Sequence, residues 1–172
     1  MDALLQLGTV GVGKSTLAEA VSGLLEERGT VHAVLDLDDV RRLRPAPAGD
    51  PFQLEIELVN LAALAANFRA AGARLLVVAG VVETRAELAR VLAAIGAERA
   101  DVVRLVAEPA ALQERLRGRH GDDPDGLAWH LDRTVVLTGI LDDAALTERV
   151  LDTTGRTPRR LAEDLLRTSS VL

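Results

Sequence analysis

The chain has no cysteine and no tyrosine, two phenylalanines, one tryptophan and, among 20 basic residues, a single lysine, Lys14. Without cysteine there is no disulfide framework, no thiolate metal site and no cysteine nucleophile. Acidic residues outnumber basic ones by 26 to 20, a net charge of −6. A nucleic-acid surface needs a basic face to displace counterions and rings to stack on bases, so no nucleic-acid partner is expected. No apolar run approaches the ~18 residues of a membrane span, so no membrane partner is expected either. The text passes from Met1-Asp2 straight into a short apolar run with no basic leader, and the expectation is a cytoplasmic protein without a signal peptide. Composition says nothing about oligomeric state.

What is present is globular in character. Hydrophobic residues make up 48% of the chain and charged residues 27%, and 172 residues suit one domain, 1–172, with a core of its own. Short apolar runs alternate with longer amphipathic ones. Ala3–Leu7, Val31–Leu35, Leu75–Ala79, Val102–Val106 and Arg149–Leu151 read as strands. Helical spacing covers Ser15–Glu27, Phe52–Ala71, Glu87–Ile95, a stretch from Pro109 towards Arg117, Leu127–Leu141 and a last helix capped by Thr157 and Pro158. Gly29, Gly72 and Gly96 stand where helices should stop. Strands separated by helices imply a five-stranded parallel sheet with helices on both faces, a three-layer α/β fold. Pro45, Pro47, Gly49 and Pro51 mark the densest turn composition, and Gly118–Gly126 is expected to be a mobile loop.

The strongest chemical signal is Gly8-Thr9-Val10-Gly11-Val12-Gly13-Lys14-Ser15, followed by Thr16. It fits the phosphate-loop pattern G-x-x-x-x-G-K-[ST] and lies between a strand and a helix, where that chemistry works. Gly8, Gly11 and Gly13 let the backbone curl, so that the amides of the loop, Val12 among them, point at phosphate oxygens. The helix beginning near Ser15 and Thr16 adds its positive end. Lys14 can reach the β- and γ-phosphates, and Ser15 can offer its hydroxyl to magnesium. The lone lysine therefore falls where a narrow ammonium fits and a planar guanidinium does not. The implied ligands are ATP and Mg2+. No guanine-reading Asn/Thr-Lys-x-Asp sequence occurs, although that alone does not separate ATP from GTP.

A second constellation, Asp36-Leu37-Asp38-Asp39-Val40-Arg41, follows the second strand at the carboxyl edge of the sheet, where open α/β folds bind ligands. Phosphoryl transfer to an alcohol needs one carboxylate near the acceptor hydroxyl and another near the magnesium, and Asp36 and Asp38 can supply both. The competing structural explanation is an acidic cap, by Asp38 or Asp39, for a short helix starting near Val40.

Leu35-Asp36-Leu37-Asp38-Asp39-Val40-Arg41 resembles the Leu-Asp-Gly-Asp-Asn-Val-Arg segment of adenylylsulfate kinases. It is also similar to the Asp-x-Asp segment of shikimate kinases and the related antibiotic O-phosphotransferases. These are small P-loop kinases with a nucleoside-monophosphate-kinase-like fold, and weaker likeness runs over nearly the whole chain. The resemblance implies a catalytic set of Lys14, Asp36, Asp38 and Arg119, with Ser15 and Asp36 holding magnesium. Asp38 would orient or deprotonate the acceptor hydroxyl, and Arg41 would bind a polar or anionic part of the acceptor. The segment Asp152-Thr153-Thr154-Gly155 is similar to the adenine-side loop, which places Gly155 beside the base. Leu37 replaces a glycine of adenylylsulfate kinases, Asn60 and Asn67 stand where they carry arginines, and Val78-Ala79-Gly80 ends the third strand without an aspartate. A hydroxylated small-molecule acceptor less anionic than adenylylsulfate is expected.

Kinases of this fold close a lid over ATP, and a lid is expected at about residues 118–133. Arg115, Arg117 and Arg119 lead into it and Arg133 lies beyond. Arg115 and Arg119 are suited to adenine and phosphate, Arg133 to the acceptor. Each has a plainer explanation as a solvated arginine face. Glu83 and Arg85 follow the third strand and could touch the acceptor, but a mutual ion pair is the preferred expectation. His32, His120 and His130 lack metal-ligand spacing, and Trp129 is expected to pack in the core or lid. A nucleotide-dependent switch that hydrolyses ATP slowly is the alternative to a kinase, and it would have no need of the Asp36/Asp38 pair.

Overall fold

A computed structural model describes residues 1–172. The elements alternate throughout: β1 Asp2–Gly8, α1 Lys14–Glu27, β2 His32–Asp36, α2 Leu54–Ala70, β3 Leu75–Gly80, α3 Arg85–Ile95, β4 Ala100–Val106, α4 Pro109–His120, α5 Pro124–Ala144, β5 Val150–Asp152 and α6 Pro158–Thr168. All strand pairs are parallel, in the order β2-β3-β1-β4-β5. This is the expected three-layer α/β architecture. No helix is long and apolar enough to cross a membrane.

The pleat explains the two cores. Successive strand side chains point to opposite faces. Leu4, Val77, Ala79, Val103 and Leu105 therefore meet α1 and α6 through Leu17, Leu24, Leu161 and Leu165. Leu5, Leu7, Leu76 and Val78 face the other way and pack on α2 and α3 through Leu58, Leu61, Val91 and Ile95. Every residue of β3 is buried, which is why its sequence is an unbroken apolar run.

Three local expectations need correction. The segment 118–126 is mostly helix: α4 continues to His120, and only residues 121–123 separate it from α5. Pro124 at the first helical turn, with Asp123 accepting from the amide of Gly126 at 3.0 Å, starts α5 earlier than apolar spacing alone suggests. No helix begins near Val40, so the carboxylates before it are not a helix cap; residues 37–39 form a turn. Of the two places expected for Trp129, the core is excluded: it is 57% exposed on α5 and packs edge-on with His130, within the segment 118–133 where the lid is expected. The capping of α6 by Thr157 and Pro158 is as expected.

Two departures from the adenylylsulfate kinase pattern prove to be one packing arrangement. Leu37 is completely buried, and its side chain lies across the backbone of Gly80 at the end of β3. A Cβ on Gly80 would stand 2.4 Å from Leu37 Cδ1 and 2.9 Å from its Cβ, so a leucine at 37 leaves no room for an aspartate at 80. Gly80→Ala is expected to cost about 1–3 kcal/mol in urea unfolding through overpacking. On a Leu37→Ala background most of that cost should disappear, and an equal cost in both backgrounds would show that the contact is not the cause.

Candidate functional site

The phosphate loop is built by steric necessity. At Gly8 a Cβ would meet the carbonyl of Leu105 at 2.8 Å and Val12 Cγ1 at 2.9 Å, so the chain leaves β1 only as glycine. Gly11 (φ 78°) and Gly13 (φ 99°) take the left-handed conformation that turns the loop back on itself. Helix α1 then begins with no side-chain cap and no acidic residue in its first turn, which leaves its first amides for an anion. Lys14 donates to the carbonyl of Thr9 at 3.0 Å and so lies folded along the loop. Burial lowers its pKa, the nearby charges of Asp38 and Asp36 oppose that, and Arg119 and Arg41 add to it.

The site occupies a cavity of about 880 Å³ lined by Val10–Glu19, the end of β2, Asp36, Asp38, Arg115, Arg119, Thr153 and Arg156. Gly11, Val12, Gly13, Lys14, Ser15 and Thr16 all lie on its wall, as the motif predicts, whereas Gly8 lies beneath and shapes it. Ser15 Oγ donates to Asp36 Oδ2 at 2.5 Å, and the other oxygen of Asp36 accepts the amide of Asp38 at 3.0 Å. The Ser15–Asp36 pair is a set of hard oxygen donors beside a buried ammonium, which fits a magnesium–triphosphate.

Asp38 projects into the same cavity and is gripped by Arg41 through Nη2 at 2.5 Å and Nε at 3.2 Å. Burial alone would raise its pKa, but the Arg41 hydrogen bond and the charges of Arg41, Lys14 and Arg119 outweigh it and hold the carboxyl below its usual range. Arg41 also reaches Glu57 at 3.0 Å, and Asn60 fixes the segment by donating to the carbonyl of Val40 at 2.7 Å.

The arginines separate into distinct roles. Arg115 is structural at its tip: it donates to the carbonyls of Val12 and Thr153 and to Thr153 Oγ1, tying α4 to the phosphate loop and the loop after β5. Gly155 (φ 63°) turns that loop, while its neighbours Thr153 and Arg156 line the cavity. Arg119 lines the cavity with its charge unpaired, whereas Arg117 points to Gln113 on the exposed side of α4. The expected Glu83–Arg85 pair is not formed. Glu83 binds Arg133, whose guanidinium lies 4.9 Å over the Phe52 ring, and Arg85 donates to the carbonyl of Ala145 at 2.5 Å. A partner fifty residues away won because α5 brings Arg133 to the segment that follows β3.

Sequence reasoning missed three participants. Thr9 donates to the carbonyl of Thr134 at 3.1 Å, which ties the phosphate loop to α5. Thr153 Oγ1 donates to the carbonyl of Val12 at 3.0 Å; both threonines lie in segments that the sequence singles out, but nothing local marks these long-range contacts. Glu57 did have one: it sits with Leu58, Leu61 and Ala65 on the inner stripe of α2, a carboxylate at an apolar position. It is 1% exposed, and burial pushes its pKa from 4.5 up to about 7 against the pull of Arg41, with Glu87, Asp38 and Asp50 adding to the rise.

These features define the small P-loop kinase fold. A family described as an AAA domain matches residues 4–135, most of the chain, and the chain belongs to that family. Similar solved structures include the tunicamycin resistance protein of Deinococcus radiodurans (TM-score 0.67, 23% identity, covering 99% of this chain and 96% of that one). A sugar kinase from Janibacter sp. (0.65, 18%, 97% and 93%) is similar too. So is the shikimate kinase of Acinetobacter baumannii with shikimate bound (0.63, 19%, 97% and 92%). No curated protein matches the chain significantly.

Because the folded carboxyl of Glu57 holds its proton up to about pH 7 and the unfolded one only to about 4.5, the native state binds more protons between those values. Its contribution to stability is therefore highest at the acid end and falls by about 3 kcal/mol as pH rises from 4.5 through 7. Glu57→Gln is expected to flatten this part of the urea-unfolding profile. Identical slopes in the two proteins would contradict the assignment.

Proposed function

We propose that the protein is an ATP- and magnesium-dependent kinase that phosphorylates a hydroxyl group of a small molecule. The observation that carries this reading is that one cavity holds the phosphate loop with Lys14, the Ser15–Asp36 oxygen pair and, beyond them, the carboxylate of Asp38. The similar structures support it: one is a sugar kinase, one holds shikimate, and an adenylylsulfate kinase from Mycobacterium tuberculosis (TM-score 0.55) is described with AMPPNP and APS.

Each residue then has a task. The loop amides and the start of α1 cradle the phosphates, and Lys14 leaves the carbonyl of Thr9 to reach the transferring group. Magnesium, held by Ser15 and Asp36, would neutralise charge on the triphosphate oxygens. Asp38, kept ionised by Arg41, accepts a hydrogen bond from the acceptor hydroxyl and aims its oxygen. A carboxylate with a lowered pKa is a weak base, which suits a loose phosphoryl transfer in which the proton leaves late. Arg119, its charge free, meets the developing charge on the phosphoryl group from the α4–α5 side, where a lid over residues 118–133 would close. Thr153, Arg156 and Pro158 form the base side of the cavity.

A nucleotide switch would share the loop but has no use for Asp38. Asp38→Asn is expected to lower phosphoryl transfer by about 10²-fold or more while ATP affinity stays within a few-fold. If slow hydrolysis is the only activity and survives that change, the switch is the better description. Lys14→Ala should weaken ATP binding about tenfold or more, read by calorimetry, and unchanged binding would contradict both readings.

A further inference from the structure

Arg41 stands beside the carboxylate that faces the acceptor, the position from which an arginine would grip a negatively charged substrate. It is not free to do so. Its guanidinium spans two carboxylates, Asp38 at 2.5 Å and Glu57 at 3.0 Å. Glu57 comes from α2, is 1% exposed, and its Oε2 accepts no hydrogen bond, so the charge of Arg41 is what compensates it. Above about pH 7, where Glu57 has given up its proton, withdrawing Arg41 to bind an anion would leave a carboxylate buried without a partner, which is costly. The neighbouring Arg42 lines the cavity, but it too is paired, with Asp39 at 2.5 Å. Arg133 of α5 is likewise held by Glu83, which follows β3.

We infer that Glu57 is a specificity-determining residue: by holding Arg41 against Asp38 it withholds the guanidinium beside the acceptor-facing carboxylate, and so disfavours acceptors that carry an anionic group at that point. This rests on the kinase reading for the word acceptor, but the masking of Arg41 stands apart from it. The carboxylate acts through Arg41 and touches no substrate. Its replacement by glutamine should release the guanidinium from one of its two partners and open the site to oxoanions.

Inorganic sulfate serves as the oxoanion probe, titrated at pH 8, where Glu57 is ionised, into the wild type, Glu57→Gln, Arg41→Ala and the double variant. The Arg41→Ala titrations subtract sulfate bound at the phosphate loop and its general salting effect. The wild type is expected to show no sulfate binding above the Arg41→Ala baseline. Glu57→Gln should gain Arg41-dependent binding about tenfold tighter than any in the wild type, and the double variant should lose it. Equal Arg41-dependent binding in wild type and Glu57→Gln, or none in Glu57→Gln, overturns the inference. Should Glu57→Gln melt below the assay temperature, Glu57→Met fills a similar volume without charge and is read in the same way. ATP titrated into the same samples separates the two claims. Loss of ATP binding in the wild type sinks the kinase reading and leaves the sulfate result to judge Glu57. Intact ATP binding with sulfate binding insensitive to Glu57 sinks this inference alone.

Discussion

The 2.5 Å hydrogen bond from Ser15 to Asp36 is the contact on which the site depends. Ser15 follows β1 and Asp36 ends β2, yet β3 runs between those two strands. The bond therefore spans the carboxyl end of β3, where Ala79, the register partner of Asp36, lines the same cavity. On the opposite face of the sheet Leu37 packs onto Gly80 and supports the turn between Asp36 and Asp38.

From that turn the electrostatics run outward in sequence. Asp36 faces the loop, Asp38 faces the far end of the cavity, and Arg41 reaches back to hold Asp38 ionised. Arg41 is in turn held by a carboxylate buried in α2. In the proposed kinase the arrangement would put positive charge, at Lys14 and Arg119, where phosphate would arrive, and a restrained, largely neutralised pair where an acceptor would arrive. Arg115 and Thr153 add a second brace by binding the carbonyl of Val12, so the loop is fixed from α4 and from the chain after β5 as well as from α5 through Thr9.

Local signals and long-range ones were unequally legible. The sheet, its parallel sense and the phosphate loop could be read because strand burial and the glycine-lysine pattern are written in consecutive residues. So could the last helix, since Thr157 and Pro158 are a cap and a first turn. The region 118–126 was misread because glycine and proline were weighed as breakers, although Pro124 at a first turn starts a helix. The partner of Glu83 was not legible: Arg133 reaches it from α5, fifty residues on, and no spacing in the chain records that. Glu57 was legible in principle, as a carboxylate on the apolar stripe of α2, but its meaning depends on Arg41 arriving from another element. The lone lysine, by contrast, stands where the motif requires it, with its ammonium folded along the loop.

The claim most open to direct measurement is that Ser15 and Asp36 form one magnesium-dependent unit with the phosphate loop. Calorimetric titration of ATP with and without magnesium, into the wild type, Ser15→Ala and Asp36→Asn, measures it. Magnesium is expected to tighten ATP binding about tenfold or more in the wild type, and either substitution should abolish most of that gain while leaving metal-free binding little changed. A magnesium gain that survives both substitutions would contradict the assignment and place the metal elsewhere.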